Sequence, residues 1–123
     1  ELEKYFRSIY APFGPVSDEQ WRDMTLTSAR RRGDGRVTPH YDPRITDQFK
    51  LAHDDYALWV AYDAIEVPTL LLRGGQSDLL LQDLAEEMTK RGPKAVLRVD
   101  PNCGHAPALN NALQTAWIID FLT

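Results

Sequence analysis

Residues 67–105 read VPTLLLRGGQSDLLLQDLAEEMTKRGPKAVLRVDPNCGH, and the architecture of the chain follows from how this stretch divides. Val67, Thr69, Leu70, Leu71 and Leu72 form an apolar run with almost no alternation, the pattern of a strand covered on both faces and therefore of a parallel sheet. Pro68 sits near its start, where a missing N–H is tolerated. Leu81, Leu84, Ala85 and Met88 then recur at the spacing of a one-sided helix. Lys90 and Arg91 in its last turn, Gly92 beyond it and Pro93 after that are stop signals. Ala95 to Val99 reads as a second strand, which makes the stretch a β-α-β unit with parallel strands. In open sheets of this kind ligand chemistry collects at the carboxyl ends of the strands. Asp78 and His105 both fall just past such ends, which makes them the pair to weigh.

The amino-terminal half reads differently. Leu2, Tyr5, Phe6 and Ile9 keep helical one-face spacing until Pro12. Ser17-x-x-Gln20 is a capping box opening a helix that is expected to run to about Arg31, with Val16 packing on Trp21 as a staple. Gly33-Asp34-Gly35 breaks it. Arg30, Arg31, Arg32 and Arg36 form the one basic cluster, best explained as a solvated helix end. The Arg32-Gly33-Asp34 tripeptide carries no weight at that length. Residues Ile45 to Leu51 are weakly helical, and Asp54 or Asp55 caps a helix placing Leu58, Ala61, Tyr62 and Ile65 on one face. A final helix, capped by Asn110 or Asn111, is expected to turn Leu113, Trp117 and Phe121 inward. The expected organisation is thus a helical segment over residues 1–66 and a β-α-β-α segment over residues 67–123.

At 123 residues, with 43% hydrophobic and 26% charged residues, the composition is that of a soluble globular domain. A net charge of −4 argues against nucleic acid as a partner, and no apolar run is long enough to span a bilayer. The single cysteine, Cys103, excludes an internal disulfide and fits a reducing compartment, the cytoplasm. Two parallel strands with apolar faces leave both sheet edges open and cannot bury themselves. Further strands are therefore expected from elsewhere, supplied by more of the same protein or by self-association.

An acid after one strand and a histidine after the next is two-thirds of a nucleophile–acid–base triad, in the order used by open α/β sheets. The histidine shuttles the proton, and the acid holds its tautomer and stabilises the imidazolium. The bland readings are an Asp78 that caps the following helix and a His105 that merely occupies a turn. No nucleophile is evident. Ser8, Ser17, Ser28 and Ser77 all lie outside any G-x-S-x-G turn, and Cys103 reads as a small buried thiol. His40 and His53 read as surface or lid residues and form no metal-ligand spacing with His105, so no metal is expected.

The segments PTLLLRGGQSDLL and VDPNCGHAPAL, followed by a closing helix, resemble the carboxyl-terminal end of the α/β-hydrolase family. The resemblance implies a partial α/β-hydrolase fold in which residues 1–66 form the lid and residues 67–123 the last part of the core. It implies that Asp78 is the triad acid and His105 the general base, and that the nucleophile elbow belongs to an amino-terminal half absent from this chain. The substrate implied is a small organic ester, lactone or related compound, cleaved without a cofactor. Trp21, Tyr41, Trp59 and Tyr62 are candidates to line its pocket under the lid, although aromatics at helical spacing are more often core. This chain alone is expected to be inactive. Two rival readings remain: a non-catalytic pseudo-hydrolase fragment that binds a ligand or partner, and a small regulatory domain that dimerises to complete its sheet.

Overall fold

The computed structural model describes residues 1–50 and 58–123, residues 48 and 49 by their backbone alone. His53, Leu51 and the capping role expected of Asp54 or Asp55 lie outside the described residues.

The first helix, α1, spans Leu2–Ile9 and buries Phe6. A 3₁₀ turn over Ala11–Phe13 follows, with Pro12 in its first turn, as the end of an apolar helix at a proline requires. Helix α2, Asp18–Thr27, opens on the expected capping box: the Ser17 Oγ accepts from the Gln20 N–H at 3.2 Å and Gln20 Oε1 accepts from the Ser17 N–H at 2.9 Å. Arg7 ties the two helices together, reaching Glu3 at 2.7 Å and Asp18 at 2.8 Å while its guanidinium lies over the buried Trp21 ring.

The amino-terminal segment is not all helical, and α2 stops four residues earlier than its sequence pattern indicates. Ala29–Arg31 (β1) and Val37–Pro39 (β2) pair as an antiparallel hairpin, with Arg30 opposite Thr38. The physical reason lies in the turn. Gly35 takes φ +80°, and the Asp34 carboxylate accepts the Arg36 N–H at 3.0 Å, so the Gly33-Asp34-Gly35 segment reverses the chain rather than just ending a helix. Thr25 and Thr27 also turn their hydroxyls onto carbonyls four residues back, which weakens the end of α2. A 3₁₀ stretch covers Pro43–Lys50, and α3 is short, Trp59–Asp63. Leu58 and Ala61 face outward there, leaving Trp59, Tyr62 and Ile65 on the covered side.

The carboxyl-terminal segment has the expected β-α-β-α order. Strand β3 (Leu70–Gly74) pairs in parallel with β4 (Val96–Asp100), in a register that sets Gly74 beside Asp100. Helix α4, Gln82–Met88, crosses between them and buries Ala85; Lys90 and Arg91 fall past its end, and Gly92 adopts φ +53°. Helix α5, Ala112–Leu122, is capped by Asn111, whose Oδ1 accepts the Gln114 N–H at 2.9 Å. Leu113 points outward, contrary to expectation, and Gln114 takes the buried position. The shift follows from the cap, which sets the helix phase and directs Gln114 at a carboxylate on β4. Trp117 and Phe121 are half-buried.

The core among the described residues is small: Phe6, Trp21, Ala85, Ala95 and Cys103. The accessible surface is 9082 Å². A compact protein of this mass exposes about 6,700 Å². The three leucines of β3 are only half-buried, and Val96 and Val99 of β4 are exposed, so the apolar sheet lacks the covering its sequence is built for. No helix among the described residues is long and apolar enough to cross a membrane.

Candidate active site

The loop after β3 and the loop after β4 are laced together by their backbones. The Gly75 N–H donates to the Asp100 carbonyl at 2.6 Å and the Gln76 N–H to the Cys103 carbonyl at 3.0 Å. The Gly104 N–H reaches back to the Pro12 carbonyl at 2.6 Å, so the turn after α1 closes over the second loop. This nesting needs glycine. A Cβ on Gly74 would lie 1.7 Å from the Gly104 carbonyl oxygen, and one on Gly104 would lie 2.5 Å from that of Pro12.

Two buried charged residues, neither singled out from the sequence, hold the loops in shape. The Arg73 side chain, on the last turn of β3, donates from Nε to the Leu80 carbonyl at 2.7 Å and from Nη1 to the Gly75 carbonyl at 3.4 Å, bridging both ends of the acid loop. Asp100 closes β4: its carboxylate accepts from the Asn102 N–H at 2.9 Å, the Gln114 amide at 2.6 Å and the Asn111 amide at 3.4 Å. The Asn102 N–H first, and then the Gln114 amide, hold the Asp100 carboxyl below the usual carboxylate range. Each is a charged residue at the carboxyl end of its strand, and that placement was the available signal.

Ser77 is buried, and its Oγ accepts the Leu80 N–H at 3.0 Å. The same hydroxyl lies 3.3 Å from Nδ1 of His105. His105 itself is exposed and precedes Ala106, a non-glycine residue held at φ +61°; Leu109 is likewise left-handed at +55°. Backbone of that kind costs on the order of 1–3 kcal/mol per residue and persists where the surroundings enforce it. Asp78 is also exposed, beside Ser77. Among the described residues no hydrogen bond or ion pair joins Asp78 to His105; the imidazole contact is to Ser77. Nor does Asp78 cap α4, whose amino-terminal cap position is Leu81. The structure thus brings the acid loop to the histidine with the neighbouring serine in contact.

Cys103 is fully buried, its thiol pushed up by burial and then by the Asp100 charge, so it is held as the un-ionised, weakly nucleophilic form. Among the described residues no group of three or more His, Cys, Asp and Glu is placed to hold a metal ion.

The four aromatic candidates for a substrate pocket are dispersed. Tyr41 lines an open groove of about 590 Å³ between α1 and the hairpin, together with Tyr5, Arg30 and Arg32. Trp21 is buried beneath Arg7. Trp59 and Tyr62 pack edge to face, with the Arg91 guanidinium 4.3 Å above the Trp59 ring and the Tyr62 hydroxyl donating to the Met88 carbonyl at 2.7 Å. That cluster joins α3 to the end of α4.

A parallel strand pair with an acid loop and a histidine loop nested at its carboxyl ends, followed by a closing helix, is the arrangement of an α/β-hydrolase core. The chain has the fold of the carboxyl-terminal part of an α/β hydrolase. It superposes on an α/β hydrolase from Novosphingobium aromaticivorans with a TM-score of 0.79 and 28% identity, over 98% of this chain and 44% of that one. A solved structure from Rickettsia typhi matches with a TM-score of 0.80 and 26% identity, over 98% of this chain and 41% of that one. In sequence it is 38% identical over 129 residues to the 3-hydroxybutyrate-oligomer hydrolase of Cupriavidus necator, covering 97% of this chain and 44% of that protein. The chain therefore spans less than half the length of the proteins it matches. No protein-family model matches it.

Proposed function

We propose that this chain supplies the acid–base part of an α/β-hydrolase that cleaves short hydroxy-acid esters, with 3-hydroxybutyrate oligomers as the substrate class. The nesting of the acid loop against the histidine loop, with Ser77 Oγ 3.3 Å from His105 Nδ1, is the observation that carries the reading. The likeness to the Cupriavidus necator enzyme over nearly the whole chain supports the substrate class.

In this reading His105 Nε2 takes the proton of a nucleophile carried outside this chain as it attacks the ester carbonyl, and returns the proton to the departing alkoxide. Asp78 pairs with Nδ1 and stabilises the imidazolium. Water then repeats the sequence and releases the acid. Residues 1–66 serve as the lid, and the sheet is completed by strands from the rest of the hydrolase. The half-buried leucines of β3 and the exposed valines of β4 favour that completion.

The test is hydrolysis of a 3-hydroxybutyrate dimer by the full-length protein. His105→Ala is expected to lower turnover by a factor of about 10³ or more with the fold intact. Unchanged turnover would remove His105 from the mechanism.

One observation favours a second reading. Asp78 makes no bond to His105, and a serine, which brings no charge, occupies the imidazole. A non-catalytic binding fragment fits that contact, and absence of ester hydrolysis by the full-length protein, with oligomer binding retained, would select it.

A further inference from the structure

We infer that the groove between α1 and the β1–β2 hairpin binds the carboxylate end of the substrate, with Arg30 and Arg32 supplying the positive charge. The inference rests on the hydroxy-acid ester reading above and adds to it the site that recognises the free acid terminus.

The hairpin places these side chains together. Residues two apart on a strand share a face, and the ladder continues past β1 through the Arg32 N–H to Arg36 carbonyl bond at 2.8 Å. Arg30 and Arg32 both line the groove, whereas Arg31, between them, does not. Its walls are mainly apolar, from Leu2, Val37, Tyr5 and Tyr41. The Tyr5 and Tyr41 hydroxyls lie 3.4 Å apart and close one side.

Charge placement favours an anion. The Asp42 carboxylate is turned to Arg44 at 2.8 Å. Arg32 is only loosely held by Asp34, at 3.9 Å, and Arg30 makes no direct ion pair among the described residues, acting on the Asp42 charge only from a distance. Glu1 is the one acid on the lining, against the two guanidinium groups. A planar guanidinium matches a carboxylate, and the apolar walls match the methyl-bearing chain of a hydroxybutyrate unit better than a fully hydrated inorganic anion.

The groove is also connected to the catalytic loops. Helix α1 carries Leu2 and Tyr5 on the groove, and the turn after it accepts the Gly104 N–H beside His105. The helix has eight residues, about 12 Å of rise. One hydroxybutyrate unit puts only four backbone bonds between the scissile carbonyl and the acid terminus, so about three units on the acid side of the scissile bond are needed to cover that length, and a tetramer suits the layout.

The experiment compares the free acid of a 3-hydroxybutyrate tetramer with its methyl ester, in the full-length protein carrying His105→Ala to prevent turnover. Calorimetric titration should show the acid binding about tenfold more weakly once Arg30→Gln and Arg32→Gln are added, with the methyl ester unaffected. Arg31→Gln, which removes the same charge from the other face, should leave both constants unchanged. The groove assignment is overturned if the acid and ester weaken together, if neither changes, if Arg31→Gln has the same effect, or if the acid does not bind. Cleavage of the tetramer by the wild type is measured alongside. Cleavage with no arginine effect removes the groove and keeps the hydrolase; arginine-dependent acid binding without cleavage does the reverse.

Discussion

The Ser77 hydroxyl, not the Asp78 carboxylate, stands 3.3 Å from Nδ1 of His105. Since Ser77 Oγ already accepts the Leu80 N–H, its own proton is available to the imidazole, or the imidazole N–H can donate to it. Only the second arrangement leaves Nε2 unprotonated and able to act as a base. A neutral hydroxyl also gives little support to the imidazolium that forms during proton transfer. As the proposed triad acid, the exposed Asp78 should therefore displace or join Ser77 at Nδ1 during turnover. Asp78→Asn should cut kcat/KM by about 10³, in line with the loss of an orienting carboxylate, while Ser77→Ala costs less than about tenfold. Steady-state kinetics of the two variants check this. The opposite ranking would give the orienting role to Ser77.

The two loops can nest only because Gly74 has no side chain, its Cβ position lying 1.7 Å from the Gly104 carbonyl oxygen. Gly74→Ala must separate β3 from the histidine loop, breaking the Gly75-to-Asp100 and Gln76-to-Cys103 bonds near it. Activity of the full-length protein should fall to background with a lowered Tm. Gly33→Ala, at a position with nothing within 4 Å, is the control and should be nearly silent in activity. Normal turnover in Gly74→Ala would mean that the loops open freely and that their nesting does not set the site.

Asp100 makes the histidine loop dependent on pH. Its folded pKa is depressed, chiefly by the Asn102 N–H and the Gln114 amide. The stability it contributes is therefore present above the unfolded carboxyl pKa of about 3.9 and is lost as pH falls through the lower folded value. Asp100→Ala should cost about 1–3 kcal/mol at neutral pH and remove that component of acid unfolding. Asp100→Asn should cost less, because the Gln114 amide can turn and present its buried, unpaired Oε1 to the new NH₂ group. Denaturant midpoints between pH 3 and pH 7 read both effects. Identical acid limbs for wild type and Asp100→Ala would contradict the assignment.

What could be read from the chain beforehand was what local physics encodes. The leucine run, the α4 helix and the Ser17–Gln20 box each act within a few residues, and each appears where the pattern put it, with ends displaced by a few positions, but of the α4 stripe only Ala85 is buried while Leu81 and Leu84 are exposed. Residues Val37 to Tyr41 can be read as extended, and β2 lies there, but the first strand of the hairpin was hidden because Ala29-Arg30-Arg31 has no apolar alternation to distinguish a strand from a helix end; Asp34-Gly35 was the usable signal. The placing of Asp78 and His105 past strand ends could be read, but Ser77 at the imidazole depends on how two loops meet in space. Arg73 and Asp100 went unread for the same reason, since their partners are carbonyls and amides that only folding brings near. Leu113 misled because the helix phase follows the Asn111 cap and the Gln114–Asp100 bond rather than the apolar pattern alone.

Trp59 and Tyr62 offer the last prediction, since aromatic residues in the segment ahead of the parallel strands can serve either a substrate or the fold. Here Tyr62 packs against Gly92, where an added Cβ would meet the Tyr62 carbonyl oxygen at 2.7 Å, and its hydroxyl donates to the Met88 carbonyl. Arg91 stacks on Trp59 at 4.3 Å and pairs with Asp63. Every one of these contacts joins α3 to the end of α4. Tyr62→Phe should lower stability by about 1 kcal/mol through the lost hydrogen bond. Trp59→Ala should destabilise further by removing the platform for Arg91. Neither should change KM for a hydroxybutyrate tetramer, whereas Tyr41→Ala, on the groove, should raise it. A KM effect from Trp59→Ala at unchanged Tm would move that residue from the fold to the substrate.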